Sequence, residues 1–132
     1  MTALVAVDTS VWVAALRRAE GQEAKRLRTL LDADLVALPA PVRVEILSGA
    51  SRQDRGRLRR LLSVLPVFFP AAGTWELIDD WVNRAGDAGE HFGFADLLIG
   101  ALSAEKDALV WSLDGDFARM ERLKLLTCYR PS

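Results

Sequence analysis

The sequence contains one cysteine, Cys128, and one histidine, His91, among its 132 residues. A single cysteine excludes an internal disulfide and is typical of proteins in a reducing compartment, so we expect a cytoplasmic protein. Histidine-based acid–base cleavage is also disfavoured, because His91 has no second histidine to work with and is interpreted as a packed or loop residue.

Long apolar segments are missing as well. The longest stretch without a charged residue, residues 61–75, is 15 residues long and contains two prolines. It is too short and too broken to span a bilayer. The amino terminus has no basic segment, and Asp8 interrupts its apolar run, so neither a secretory signal nor membrane association is expected.

The composition predicts one packed domain, residues 1–132. Half of the residues (51%) are hydrophobic, which argues against disorder. The net charge is −1, but residues 1–66 carry 11 Lys/Arg against 7 Asp/Glu, whereas residues 67–132 carry 6 against 11. The resulting balances of +4 and −5 suit a protein that holds phosphates with arginines and a metal with carboxylates. They are equally typical of ordinary solvated surfaces.

Short apolar runs alternate with helical patterns along the chain. Strands are predicted at residues 4–7, 35–38, 67–69, 108–111 and 125–127. Helices are predicted at residues 11–16, 22–33, 41–49, 55–65 with Asp54 as N-cap, 74 to a glycine at 86 or 89, and 94–104. The alternation predicts an α/β fold, with a mostly parallel sheet between two layers of helices. Ligands of such sheets bind at the carboxyl ends of the strands.

Several acidic residues lie in otherwise apolar surroundings. They are Asp8, Glu45, Asp96 and Asp114, with Asp116 two residues further on. Each has a structural alternative: the first and third could cap helices, the second could pair with an arginine, and the last two could form a turn. Taken together, carboxylates that converge on one edge of a sheet would repel each other without a cation. Ligands that are all oxygen atoms select a hard ion, Mg²⁺ or Mn²⁺, over zinc.

These acids lie in four short segments: residues 7–12 (VDTSVW), 44–49 (VEILSG), 94–101 (FADLLIGA) and 112–117 (SLDGDF). In this order and spacing the segments resemble the PIN-domain ribonucleases, specifically the VapC toxins of bacterial and archaeal toxin–antitoxin pairs, over nearly the whole chain. The resemblance implies a Rossmann-like PIN fold with three α/β/α layers. It also implies an Mg²⁺- or Mn²⁺-dependent endoribonuclease that cleaves RNA with a metal-activated water.

The resemblance further implies a metal site at Asp8, Glu45, Asp96 and Asp114, with Asp116 either an accessory acid or the fourth ligand. Hydroxyl groups that support these ligands are expected at Thr9, Ser10 and Ser112. The implied partners are an RNA substrate, a second copy of the chain in a homodimer, and a VapB-like antitoxin. The antitoxin would lie in an apolar groove near the site, with the first two helices as candidate contributors.

A basic stretch follows the second acidic segment. Arg52, Arg55 and Arg59 share one face of the predicted helix and could hold RNA phosphates, although a solvated face opposite the leucines explains them somewhat better. Trp75 departs from the apolar pattern of its helix and could lie in an interface, where tryptophan is enriched.

Two other classes of protein compete with this interpretation. A non-catalytic PIN-like module that binds RNA or protein would not need so many converging carboxylates. A phospho-acceptor receiver or an aspartate-nucleophile phosphatase would need an acceptor aspartate in a mid-chain strand, or Asp-x-Asp after the first strand. Residues 8–10 (DTS) provide neither pattern.

Overall fold

A computed structural model describes residues 2–131 of the chain. In this range the strands are β1 (Val5–Val7), β2 (Val36–Pro39), β3 (Val67–Phe68) and β4 (Leu109–Trp111). The helices are α1 (Thr9–Arg17), α2 (Gln22–Asp32), α3 (Ala40–Gly49), α4 (Arg52–Leu62), α5 (Ala72–Asp87), α6 (Phe94–Glu105) and α7 (Asp116–Arg122). None of these described helices is long and apolar enough to cross a bilayer.

The strands form one parallel sheet in the order β3-β2-β1-β4. Helices cover both of its faces, which gives three layers, α/β/α. The chain adds β2 and β3 on one side of β1, then returns to place β4 on the other side. Val5 pairs with Val36 of β2, and Val7 pairs with Trp111 of β4. The strand order therefore reverses between β1 and β4, and a crevice at the carboxyl ends of two such strands is where α/β sheets bind ligands.

The central position of β1 explains its composition. Val5, Ala6 and Val7 are each at most 2% exposed, because strands pair on both sides of β1 and helices cover both faces of the sheet. A wholly apolar run is what such a strand requires. The prediction of a mostly parallel sheet between two layers of helices is confirmed.

Two predicted elements differ from the structure. The helix predicted at residues 55–65 begins at Arg52, because Ser51 and not Asp54 is its N-cap. It ends at Leu62. The Ser51 hydroxyl accepts a hydrogen bond from the Asp54 backbone N–H at 3.2 Å. The strand predicted at residues 125–127 is also wrong. This segment runs parallel to β4, but it makes only one isolated bridge, between Val110 and Cys128.

Helix α7 is absent from the prediction. Its first residue, Asp116, follows an Asp-Gly pair that is typical of turns, and the helix is only 7 residues long. Phe117 and Met120, one turn apart, are at most 1% exposed and pack into the core. This packing fixes the position of α7, and with it the position of Asp116.

Candidate active site

The end of β1 and the end of β4 are joined by a backbone hydrogen bond. The Asp8 N–H donates to the Trp111 carbonyl oxygen at 2.8 Å. The backbone leaves the sheet immediately after each strand. β1 continues into helix α1, and β4 continues into the loop at residues 112–115. Asp8 and this loop therefore lie side by side at the point where the strand order reverses.

Two serine hydroxyls hold the carboxylate of Asp8. Ser10 Oγ and Ser112 Oγ donate to Asp8 Oδ2 at 2.8 and 2.7 Å. Asp8 is only 7% exposed, and a buried carboxylate needs such donors because burying a charge without partners costs several kcal/mol. The Ser10 backbone N–H also approaches Oδ2, at 3.4 Å, so Asp8 is the N-cap of α1 as well. Asp8 is thus both a helix cap and a buried carboxylate at the strand end.

Three more carboxylates form a compact group beside Asp8. Asp96 lies in the first turn of α6, Asp114 in the loop after β4, and Asp116 at the start of α7. One oxygen atom of each lies within 4.8 Å of the others. Chain segments that are far apart in the sequence therefore present their acids to a single point.

Ser112 connects this group to Asp8. Its Oγ donates to Asp8 and accepts a hydrogen bond from the Asp114 backbone N–H at 2.9 Å. The Asp116 N–H donates in turn to Asp114 Oδ1 at 3.0 Å. One hydroxyl thus fixes the distance between the carboxylate that follows β1 and the acidic loop that follows β4.

The acids strongly perturb the ionisation of Asp96. Its pKa is raised from 3.8 to about 7, first by burial, then by its hydrogen bond with Asp116, and then by the charges of Asp114, Asp116 and Asp8. The pKa of Asp116 is lowered, first by its hydrogen bond with Asp96 and then by Arg119. Burial is the largest cause of the raised pKa of Asp96, and the like charges around it, including that of Asp8, act in the same direction.

Glu45 lies outside the compact group of three. It is an exposed residue of α3, and its Oε1 accepts a hydrogen bond from the Thr9 hydroxyl at 2.7 Å. Thr9 is the neighbour of Asp8 in the chain, so Glu45 is held at the same edge of the sheet. The structure thus groups three of the predicted acids closely, places Asp8 beside them, and links Glu45 to the site through a threonine.

Arg119 belongs to this site and was missed in the sequence. On one side its guanidinium contacts Asp116, and on the other it pairs with Glu90 at 2.6 Å. It also lies over the ring of Phe92, 4.9 Å from the ring centre. The only signal in the sequence is that Arg119 lies three residues after Asp116, a spacing at which side chains are neighbours on a helix. That helix, α7, had not been predicted.

Two of the three arginines on the predicted face line a groove. Arg55 and Arg59 of α4 line a depression of about 340 Å³ together with Arg43 and Ser48 of α3. Arg52, at the start of α4, is exposed and is not among the residues that line it. The groove shares helix α3 with Glu45, although Glu45 itself does not line it.

The donor chemistry of the acidic group fits a hard divalent cation. Every candidate ligand is a carboxylate oxygen, and oxygen ligands are those that Mg²⁺ and Mn²⁺ prefer. A bound cation would also supply the positive charge whose shortage raises the pKa of Asp96.

Comparison with known proteins identifies the family. The family model for the PIN domain matches residues 5–123. The chain belongs to the PIN-domain family. Comparison of the sequence with curated proteins gave no significant match.

Solved structures show the same PIN fold over almost the whole chain. VapBC2 from Rickettsia felis, bound to a DNA fragment from its promoter, has a TM-score of 0.78 at 18% identity, covering 98% of this chain and 99% of that one. DNA-bound VapBC from Salmonella typhimurium has a TM-score of 0.78 at 14% identity, covering 97% and 98%. Mycobacterium tuberculosis VapC20, a toxin that cleaves the sarcin–ricin loop, has a TM-score of 0.68 at 24% identity, covering 96% and 99%. At these identities the likeness establishes the fold.

Proposed function

We propose that this PIN domain is a divalent-metal-dependent endoribonuclease that acts as the toxin of a VapBC-type pair in the cytoplasm. The observation that carries the proposal is the compact group of Asp96, Asp114 and Asp116 beside the buried Asp8, at the crevice where the strand order reverses. Nucleases are typical of the family. A module that only bound RNA would gain nothing from concentrated negative charge that repels phosphates.

Mg²⁺ or Mn²⁺ would be held by Asp8, Glu45, Asp96 and Asp114, with Asp116 as a further acidic group at the same edge. When bound, such an ion lowers the pKa of a coordinated water and stabilises charge on a phosphoryl group, which is the chemistry that phosphodiester hydrolysis needs.

The protein's own residues orient the ligands. Ser10 and Ser112 fix one oxygen of Asp8, which leaves the rotation of its carboxylate restricted before any ligand arrives. Thr9 holds Glu45 in the same way. Asp116 is already engaged by Arg119, and we therefore assign Asp114 as the fourth ligand and Asp116 as the accessory acid that keeps the loop in place.

Assignment as a toxin rests on the similar solved structures, several of which are toxin–antitoxin complexes that match this chain over nearly its full length. By analogy, a VapB-like antitoxin would occlude the site. Helices α1 and α2 are the candidate docking elements, and Leu16 on α1 leaves 47% of its surface exposed.

A homodimer would use an apolar surface beside the site. Val44, Trp75 and Phe94 are 60%, 44% and 67% exposed, and the rings of Trp75 and Phe94 stack with centres 6.2 Å apart. They adjoin a groove of about 360 Å³ with an almost wholly apolar lining that includes Pro41 and Leu98. Apolar surface gathered in one place is typical of an interface between proteins.

The test is RNA cleavage by the purified protein with Mg²⁺ or Mn²⁺, with and without EDTA, followed by sequencing of the RNA ends. We expect EDTA to stop cleavage, and Asp8→Asn and Asp96→Asn to lower the rate by more than about 100-fold, the effect of losing an interaction worth several kcal/mol. Asparagine remains a good N-cap, so Asp8→Asn should fold. Asp79→Asn, at an exposed position on α5, is the matched control. Cleavage that continues in EDTA, or in both active-site variants, would contradict the proposal.

A further inference from the structure

A cavity of about 730 Å³ lies between the amino-terminal part of α2 and the end of β4. Its volume falls within the range of about 300–1,000 Å³ that is usual for small-molecule sites. One wall is the loop that starts at Ser112, and the proposed mechanism uses the opposite side of that loop. Neither the acidic group nor the arginine groove includes this cavity.

An aromatic pair forms part of its lining. The rings of Trp111 and Tyr129 have centres 5.6 Å apart, at an angle of 56°. Trp111 is 6% exposed and belongs to the core, whereas Tyr129 is only partly buried. A partly exposed tyrosine ring that lines a cavity and is held by a buried tryptophan is suited to stacking against a nucleobase.

Polar groups of the opposite wall suit a phosphate. Lys25 and Arg26 of α2 line the cavity, and Glu23 is the one acid among the lining residues. Thr29 also lines it, but its hydroxyl donates to the Lys25 carbonyl oxygen at 3.1 Å. Cations bind phosphate oxygens, and an aromatic face beside them adds sequence-tolerant affinity for a base. An acidic peptide would use the cations but not the ring.

The position of the cavity relative to the acids connects it to RNA. Ser112 lines the cavity and also donates to Asp8, and the backbone N–H of the neighbouring Leu113 donates to Ser10 Oγ at 3.0 Å. The cavity and the acidic group are therefore built on the same short loop, which carries Ser112 and Leu113 in the one and Asp114 in the other.

We propose that this cavity is a nucleotide subsite, in which Tyr129 stacks on one base of a single-stranded RNA and Lys25 binds an adjacent phosphate. The inference rests on the proposed nuclease function for its biological meaning. Binding of a nucleotide in the cavity can nevertheless be measured without cleavage.

The first experiment is a titration of the ¹⁵N-labelled protein in EDTA with adenosine or uridine 5′-monophosphate, followed by NMR. We expect shifts of the Trp111 indole and of the amides of Lys25, Thr29, Leu113 and Tyr129. Ribose 5-phosphate should cause much smaller shifts at the same concentration, because it lacks a base. Equal shifts with ribose 5-phosphate or with a tetraglutamate peptide, or no shifts at these positions, would overturn the proposal.

The second experiment compares variants in steady-state cleavage of a short oligoribonucleotide. Tyr129→Leu should raise KM about tenfold, the loss expected for one stacking platform, whereas Tyr129→Phe should keep the wild-type KM. Lys25→Ala should raise KM and make it less sensitive to salt. Lys106→Ala, an exposed position where α6 ends, is the control for loss of a surface charge.

The two experiments separate the inference from the proposed function. A protein that cleaves RNA, but whose KM is unchanged by Tyr129→Leu and Lys25→Ala, has the nuclease activity without this subsite. A protein that cleaves no RNA, but binds the monophosphates in the cavity, has the subsite without the proposed function.

Discussion

Asp96 and Asp116 share a hydrogen bond between their carboxyl groups. Two carboxylates in such a contact repel each other when both are ionised, so one of them keeps a proton below about pH 7. Asp96 is that residue, because its pKa is raised to about 7 while Arg119 helps to lower the pKa of Asp116. Cation binding must displace this proton, and the affinity for Mg²⁺ should therefore increase with pH.

We expect the metal-free protein to lose stability as pH rises from about 4 to about 7. The folded state binds a proton at Asp96 that the unfolded state, with a pKa near 3.8, has already released. The free energy of unfolding therefore falls with pH across this window. The lowered pKa of Asp116 acts in the opposite direction only below its ordinary value, outside the window. Thermal melts in EDTA at pH 5 and pH 8 measure the effect, and a higher melting temperature at pH 8 would contradict it unless Asp96→Asn shows the same trend.

Asp96→Asn should melt no lower than wild type when both are metal-free at pH 8. The change removes a charge from a group that lacks a counter-ion, which relieves repulsion. With saturating Mg²⁺ the order should reverse, because the variant binds the ion less well. A clear drop in the melting temperature of the metal-free variant would mean that Asp96 mainly stabilises the start of α6.

Ser112→Ala should lower the apparent Mg²⁺ affinity or the cleavage rate by about 10- to 100-fold, the usual effect of removing a group that orients a metal ligand. The hydroxyl restrains Asp8 and accepts from the Asp114 N–H, so its loss loosens two acids at once. Ser63→Ala, at the exposed end of α4, is the matched control. Calorimetric titration with Mg²⁺ decides the matter, and equal affinities for the two variants would show that Ser112 is dispensable.

Arg119→Gln should lower the melting temperature of the metal-free protein and increase the stabilisation that Mg²⁺ provides. Arg119 is the cation that pairs with Asp116 and ties it to Glu90. Without it the acidic group carries more uncompensated charge, which weakens the empty site and strengthens attraction for a divalent ion. Melting curves with and without Mg²⁺ separate the two effects. If Arg119→Gln lowers the melting temperature equally with and without Mg²⁺, Arg119 only stabilises the fold.

Phe94→Ser should convert the proposed homodimer into a monomer, as measured by light scattering after gel filtration. The side chain is 67% exposed and stacks on Trp75 at the apolar surface beside the site. Val64→Ser, at a position that is 78% exposed beside the start of β3, should leave the mass unchanged. A dimer that survives Phe94→Ser would place the interface elsewhere.

The sequence predicts the sheet well because buried parallel strands require uninterrupted apolar runs. The apolar run that forms β1 and the apolar stripe of α2 can both be recognised in the sequence. The acids at Asp8 and Asp96 are also conspicuous there, because charge is rare in such surroundings. Their convergence follows from the parallel topology and the position of strand ends.

The parts that could not be predicted depend on contacts between distant segments. Helix α7 is short and starts with turn-forming residues, and only the burial of Phe117 and Met120 in the core stabilises it. Arg119 enters the site only because that helix exists. The hydroxyl of Ser112 reaches a residue 104 positions away, and no local pattern in the sequence contains that information.

The site combines Asp8, which follows β1, with a loop that begins 104 positions further along the chain, at Ser112. A nascent chain that has emerged only as far as α6 lacks Asp114, Asp116 and the serine that orients Asp8. On the proposed function, such a chain would be unable to hydrolyse RNA until the loop after β4 has been synthesised. Sequence order alone would thus delay the proposed activity until both halves of the site have been translated.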